Sequence, residues 1–153
     1  MKSEVERIKK VLNGKGYNPE SETPCSCDKC KNMCKSPCLG TPRDIEAIID
    51  AGFADKLSIT KWFVGTVMAG EDPIDMIAPA YNNGWCAFRK EDGLCELHDL
   101  GLKPTEGVLT SCRDKEARFE DSITRIVAHE WIREDNTIDV MRVVFKLLKA
   151  NEY

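Results

Sequence analysis

Apolar side chains recur along this chain at helical spacing near both ends and in short runs in between. Over residues 3 to 13, Val5, Ile8 and Leu12 share one side of a 3.6-residue period, and Ser3 with Glu6 has the form of a capping box. Gly14 is placed to end that helix. A second start signal stands at Thr41-Pro42-Arg43-Asp44, where threonine suits an N-cap and proline a first turn. Ile45, Ile48 and Ile49 then face a core, and Gly52 stops the helix. Residues 119 to 133 put Ile123, Ile126, Val127 and Trp131 on one face. Thr137 is expected to cap a last helix whose buried stripe is Ile138, Met141, Val144, Phe145 and Leu148.

Between these helices the pattern is weaker. Residues 17 to 40, rich in Pro, Ser, Cys and Lys, predict irregular loop and tight turns. WFVGTVMA (62 to 69) reads as a strand or a helix segment, and IDMIAPA (74 to 80) as a strand. WCAF (85 to 88) and LCEL (94 to 97) predict two short strands joined by a turn carrying Asp92-Gly93. There is no internal repeat and no low-complexity stretch.

Composition narrows the classes. With 153 residues, 42% hydrophobic and 31% charged, the chain reads as a single domain, 1–153, able to bury its own core. A formal net charge of −4 gives no overall basic surface for nucleic acid. The first residues, MKSEVERIKKVLNGKG, have no apolar core of a signal peptide, and no apolar run reaches the roughly 20 residues that span a bilayer. A cytoplasmic location without a membrane partner is the expectation, and there thiols stay reduced.

Eight cysteines change the picture. Cys25, Cys27, Cys30, Cys34 and Cys38 crowd into CSCDKCKNMCKSPC, while Cys86, Cys95 and Cys112 lie on or beside the hairpin-like stretch. Disulfides suit neither the compartment nor the close local spacing. A thioredoxin-like site needs a CxxC at the start of a helix, whereas Cys27-Asp28-Lys29-Cys30 sits among three further thiols. Metal accounts for all eight together, since thiolates select zinc or the irons of iron–sulfur clusters. Cys27 and Cys30 can form one half-site, and Cys95 with His98 has the CxxH spacing of another, which makes His98 a possible ligand. Lys29, Lys31 and Lys35 oppose only Asp28 in the first loop, which would favour thiolates there. Zinc is favoured over an iron–sulfur cluster because the x2, x3, x3 spacing of Cys27, Cys30, Cys34 and Cys38 departs from the ferredoxin run.

The loop from Cys25 to Cys38, the following TPRDIEAIIDAG, WCAF, DGLCELH and the closing Ser111-Cys112-Arg113 come in an order that resembles the YkgJ-type cysteine-cluster family. Those proteins are described as zinc- or iron-chelating domains with eight cysteines. The resemblance covers about residues 25 to 113 and leaves 114 to 153 as C-terminal helices outside it. Three residues separate Cys34 from Cys38, where the family run commonly ends in two adjacent cysteines. What the resemblance implies is metal binding without a defined reaction.

The predicted fold is therefore mostly helical α+β, with a small, irregular, metal-bound cysteine region and a short hairpin packed on about four helices. An enzyme is the weaker reading, because catalytic zinc keeps an open position and usually takes His or carboxylate ligands. This chain has two histidines, and His129-Glu130 lacks the second histidine of a zinc-protease motif. The alternative function is an iron–sulfur protein acting in electron transfer or as a redox enzyme component. The only partner the sequence implies is a metal ion.

Overall fold

Thr41 begins the part of the fold where local signals and tertiary packing agree best. A computed structural model describes residues 2–14, 38–62, 72–109 and 117–151. In it Thr41 caps helix α2 (Pro42–Asp50), with helix α1 (Lys2–Gly14) on its other side. The Thr41 hydroxyl accepts from the Asp44 backbone N–H at 3.2 Å, and the Asp44 carboxylate accepts from the Thr41 N–H at 3.0 Å. This reciprocal box satisfies two N–H groups that a helix start leaves open. The same hydroxyl donates to Glu4 Oε2 of α1 at 2.7 Å, so the cap is also an interhelical clasp. At the other end Gly52, at φ +96°, donates to Ile49 O, and Phe53 donates to Ile48 O. That is a Schellman ending, which needs the left-handed residue that glycine supplies at low cost.

A single 3₁₀ turn (Ala54–Lys56) leads into strand β1 (Leu57–Trp62), which pairs antiparallel with β2 (Ile74–Pro79) from Leu57 opposite Pro79 to Trp62 opposite Ile74. β2 is buried at every position but Asp75, whereas β1 buries only its two end residues. The pair therefore sits on the core through β2, which meets α2 and helix α5 (Ala117–His129). A second, minimal hairpin follows, with β3 (Tyr81–Asn82) opposite β4 (Trp85–Cys86). Asn83 and Gly84 turn it with φ of +54° and +83°. Positive φ at both central residues is the mark of a type I′ turn, for which Asn-Gly is the favoured pair.

Two short helices, α3 (Glu96–Asp99) and α4 (Thr105–Leu109), precede α5. After α5, a turn and a 3₁₀ segment (Glu134–Asn136) lead to the last helix, α6 (Thr137–Ala150). α1 and α4 pack on α5, and α6 packs on α2. Ile8, Ile45, Ile48, Ile123, Val127 and Val143 are wholly buried where these helices meet. Six α-helices and the two small antiparallel pairs, among the described residues, make a mostly helical α+β fold. None of these helices is long and apolar enough to cross a membrane.

Five local expectations need correction, and one strand forms where none was predicted. α1 already includes Lys2, so Ser3 lies in its first turn and is not its N-cap. LSITKW forms a strand that its pattern hid, because both of its faces are largely exposed. LCEL is not a strand: Cys95 makes one bridge to Arg89, and then Glu96 begins α3. The helix predicted to reach Arg133 ends at His129, and Glu130 and Trp131 form a turn. α6 is capped at Asn136, and Thr137 is its first residue. Its buried face is also different: Val143 and Leu147 are buried, while Ile138, Met141, Phe145 and Leu148 face outward. The stretch from Phe63 to Ala69, read as strand or helix, lies outside the described residues, as does most of the loop 17 to 40.

Candidate metal centre

Three of the eight cysteines, Cys38, Cys86 and Cys95, lie within the described residues, and none of the three is in a disulfide. Each comes from a different stretch of chain, and each is placed by backbone bonds.

Cys38 belongs to the extended segment that runs into the Thr41 cap. Leu39 O accepts from Glu106 N at 3.0 Å, and Leu39 N donates to Glu106 Oε1 at 3.3 Å, so α4 holds this segment along one side. Trp131 Nε1 donates to Gly40 O at 2.8 Å from the other. The Asp44 carboxylate ties the arrangement together, since it also accepts from the N–H (2.8 Å) and hydroxyl (2.5 Å) of Thr105, the first residue of α4. Close approach depends on a glycine. A Cβ at Gly107 would fall 2.6 Å from Cys38 Sγ and 2.9 Å from Lys103 Cε, so a side chain there would collide with the sulfur.

Cys86 is buried and closes the β3–β4 hairpin opposite Tyr81. Its carbonyl accepts from Arg89 N at 3.0 Å, which turns the chain toward Phe88 and the Asp92-Gly93 turn. Gly93 there has φ +85°, and Asp92 Oδ1 accepts from Leu94 N at 2.9 Å, as the sequence predicts for that turn. The turn returns the chain to Cys95, which bridges to Arg89 and stands at the N-cap position of α3. Phe88, almost fully buried, anchors the pair of segments: its carbonyl accepts from Glu96 N at 2.9 Å, and its ring meets Phe53 edge-on.

Cys86 and Cys95 both flank Arg89, whose N–H donates to Cys86 O and which bridges to Cys95, and the charges of both reach Cys38. The Cys38 thiol is pushed well above its ordinary pKa, first by burial, then by the negative charge of Glu106 and by Cys95, with a smaller push from Cys86. Lys103 pulls the other way. Cys95 in turn supports the raised pKa of Lys90, which is held chiefly by its 2.5 Å bond to Asp99. Two cations thus border the thiols. Burial and the nearby negative charge disfavour the Cys38 thiolate, and a strongly positive group beside it would favour that form.

The described residues do not complete a metal site. Among them no three His, Cys, Asp or Glu side chains are arranged to hold an ion. His98 stands in α3 three residues past Cys95, its N–H donating to Cys95 O at 3.2 Å, and it is not part of such a group. Cys25, Cys27, Cys30, Cys34 and Cys112, with Lys29, Lys31 and Lys35, lie outside the described residues. Cys38, Cys86 and Cys95 are therefore not such a group by themselves, and a shell that uses any of them needs donors from those stretches. The donor chemistry fits a thiophilic metal: several sulfurs, bordering ammonium groups to offset thiolate charge, and a well-packed support.

Sequence reasoning missed Glu106, Lys90 and Lys103. Nothing in their spacing marks them, because they meet the thiols only through the folding back of α4 and the turn at residues 90 to 93. His129 donates from Nδ1 to Arg125 O (2.7 Å) and meets the Trp62 ring edge-on. A shallow depression lined by Arg125, Ile126, His129, Glu130, Ile132 and Arg133 contains no cysteine. Comparison with family models, with curated proteins and with solved structures finds no match to this chain in any of the three.

Proposed function

We propose that this protein binds zinc through its cysteines, as a cytoplasmic structural or interaction module without a reaction of its own, and that it is a YkgJ-type protein. One observation carries the reading. Cys86 and Cys95 are brought to the two sides of Arg89, whose N–H donates to Cys86 O at 3.0 Å and which bridges to Cys95, and the charges of both act on Cys38. Cys86 is buried while Cys38 and Cys95 are only partly covered, which leaves those two residues partly open to a thiophilic ion. Cys38, Cys86 and Cys95 would supply part of the shell, with the remainder from Cys25, Cys27, Cys30, Cys34 and Cys112. Such a shell, closed and rich in thiolate, would cross-link the loop before α2 to the hairpin and α3. Its charge is already neutralised by sulfur, which makes it a poor Lewis acid and favours the structural role over catalysis.

X-ray absorption at the metal edge of the purified full-length protein tests this. A first shell of sulfur at about 2.3 Å, with no exchangeable light atom, is the expected spectrum for zinc held by thiolates. Two or more nitrogen or oxygen scatterers would contradict the closed site and argue for an enzyme. A metal–metal term would replace zinc with a cluster.

A further inference from the structure

The last helix carries two apolar stripes, and only one of them meets this chain's own core. Val143 and Leu147 are buried against α2. On the opposite side Ile138, Met141, Phe145 and Leu148 are 75%, 67%, 65% and 55% exposed. Their spacing of three, four and three residues is that of the a and d positions of two heptads, the seam along which helices pair. Four large apolar side chains in one continuous exposed row form a patch of the kind that marks an interaction site.

We infer that this seam pairs with the same seam of a second copy of the chain, antiparallel, about a two-fold axis near residue 143. Charge selects that occupant. The approach to α6 carries the exposed acids Glu134 and Asp135, Asp135 being paired with Arg133 at 3.1 Å, and its last turn carries the exposed Lys149, whose ammonium lies 5.9 Å from the Phe145 ring centre. Antiparallel pairing sets Ile138 against the partner's Leu148, and Met141 against the partner's Phe145. It brings Lys149 of one copy beside Glu134 and Asp135 of the other, and it opposes the helix dipoles. Parallel pairing would put like charges together at both ends. An anionic membrane surface is disfavoured by the acidic end and by the net charge of −4. A two-fold contact closes on itself, so the exposed row yields a dimer and not a polymer. The helix is 14 residues long, about 21 Å, so the interface is small and the dimer weak, with dissociation in the micromolar range.

Sedimentation velocity of the full-length protein over a range of micromolar concentrations reads this directly. The expected result is a reversible shift from one to two chain masses. Met141→Lys and Phe145→Glu should each weaken the dimer at least tenfold while the helical circular dichroism stays unchanged, since neither side chain supports the monomer core. Glu134→Lys and Lys149→Glu should each weaken it a few-fold, and the double exchange should restore it. A monomer at every concentration would overturn the inference. So would a dimer indifferent to Met141 and Phe145, or a monomer that binds phosphatidylserine vesicles through this face. A dimer in which the two charge reversals fail to compensate would overturn the antiparallel arrangement.

Discussion

Thr41, Glu4 and Asp44 show how much a few polar side chains can organise. Asp44 is buried and accepts three hydrogen bonds, from Thr41 N, Thr105 N and the Thr105 hydroxyl. Through them the start of α2 fixes the start of α4, and with it the segment that carries Cys38. Glu4 is the less comfortable member. Its pKa is raised from the ordinary 4.5, chiefly by burial and also by the charges of Asp44 and Glu130, with the Thr41 hydrogen bond as the main counterweight. A carboxyl that holds its proton more tightly when folded adds stability below its unfolded pKa, and that contribution is lost as the pH rises through the folded value. Glu4→Gln keeps an oxygen acceptor for Thr41 and cannot ionise. The two proteins should therefore be closest in stability at about pH 4, with the variant gaining on the native protein as the pH approaches 7. Urea unfolding of both at each pH measures the gap; a constant or shrinking gap would show that Glu4 is not destabilised by its charge. The Thr41 cap was legible in the sequence because its signal is local. The clasp to Glu4 was not, because 37 positions separate the two residues.

Elements were legible in proportion to how one-sided their patterns are. Ile45 and Ile48 fall on the only apolar side of α2, and both are wholly buried as expected. α6 misled because it is apolar on two sides. Ile138, Met141, Phe145 and Leu148 make the larger and more regular stripe, yet the tertiary contact with α2 is made by Val143 and Leu147. Periodicity gives the angle between stripes and not which one faces inward. Substitution separates the two faces. Leu147→Ala should cost about 2–4 kcal/mol in unfolding free energy, and Val143→Ala somewhat less, through lost burial and cavity formation. Ile138→Ala should fall within about 0.5 kcal/mol of the native value at dilute, monomeric concentration. Chemical denaturation of the three variants checks the ordering, and a large loss at Ile138 would return the core to the outer stripe. The β3–β4 hairpin was missed for a different reason. Its Asn83-Gly84 signal is present, but Asp92-Gly93 nearby looks equally turn-like, and both do turn the chain. Only the first joins two strands.

At the scale of the whole molecule, the chain has a helical framework and a thiol-bearing side built on loops, a hairpin and two short helices. Ile8, Ile123 and Val127 are wholly buried at the helical spacing the sequence shows, which is why the first helix and α5 were readable from apolar periodicity. The thiol side was readable as chemistry and not as geometry: eight cysteines suggest a shared role, while nothing local predicts that Cys38 Sγ lies against Gly107 of α4. Zinc binding through these cysteines is the central claim, and the metal content of the full-length protein, purified anaerobically and read together with its visible spectrum, tests it most directly. A colourless protein carrying stoichiometric zinc, which loses that zinc when Cys38, Cys86 and Cys95 are replaced by serine, is the predicted result. Metal-free protein with eight titratable thiols, or brown protein containing iron and sulfide, would contradict it.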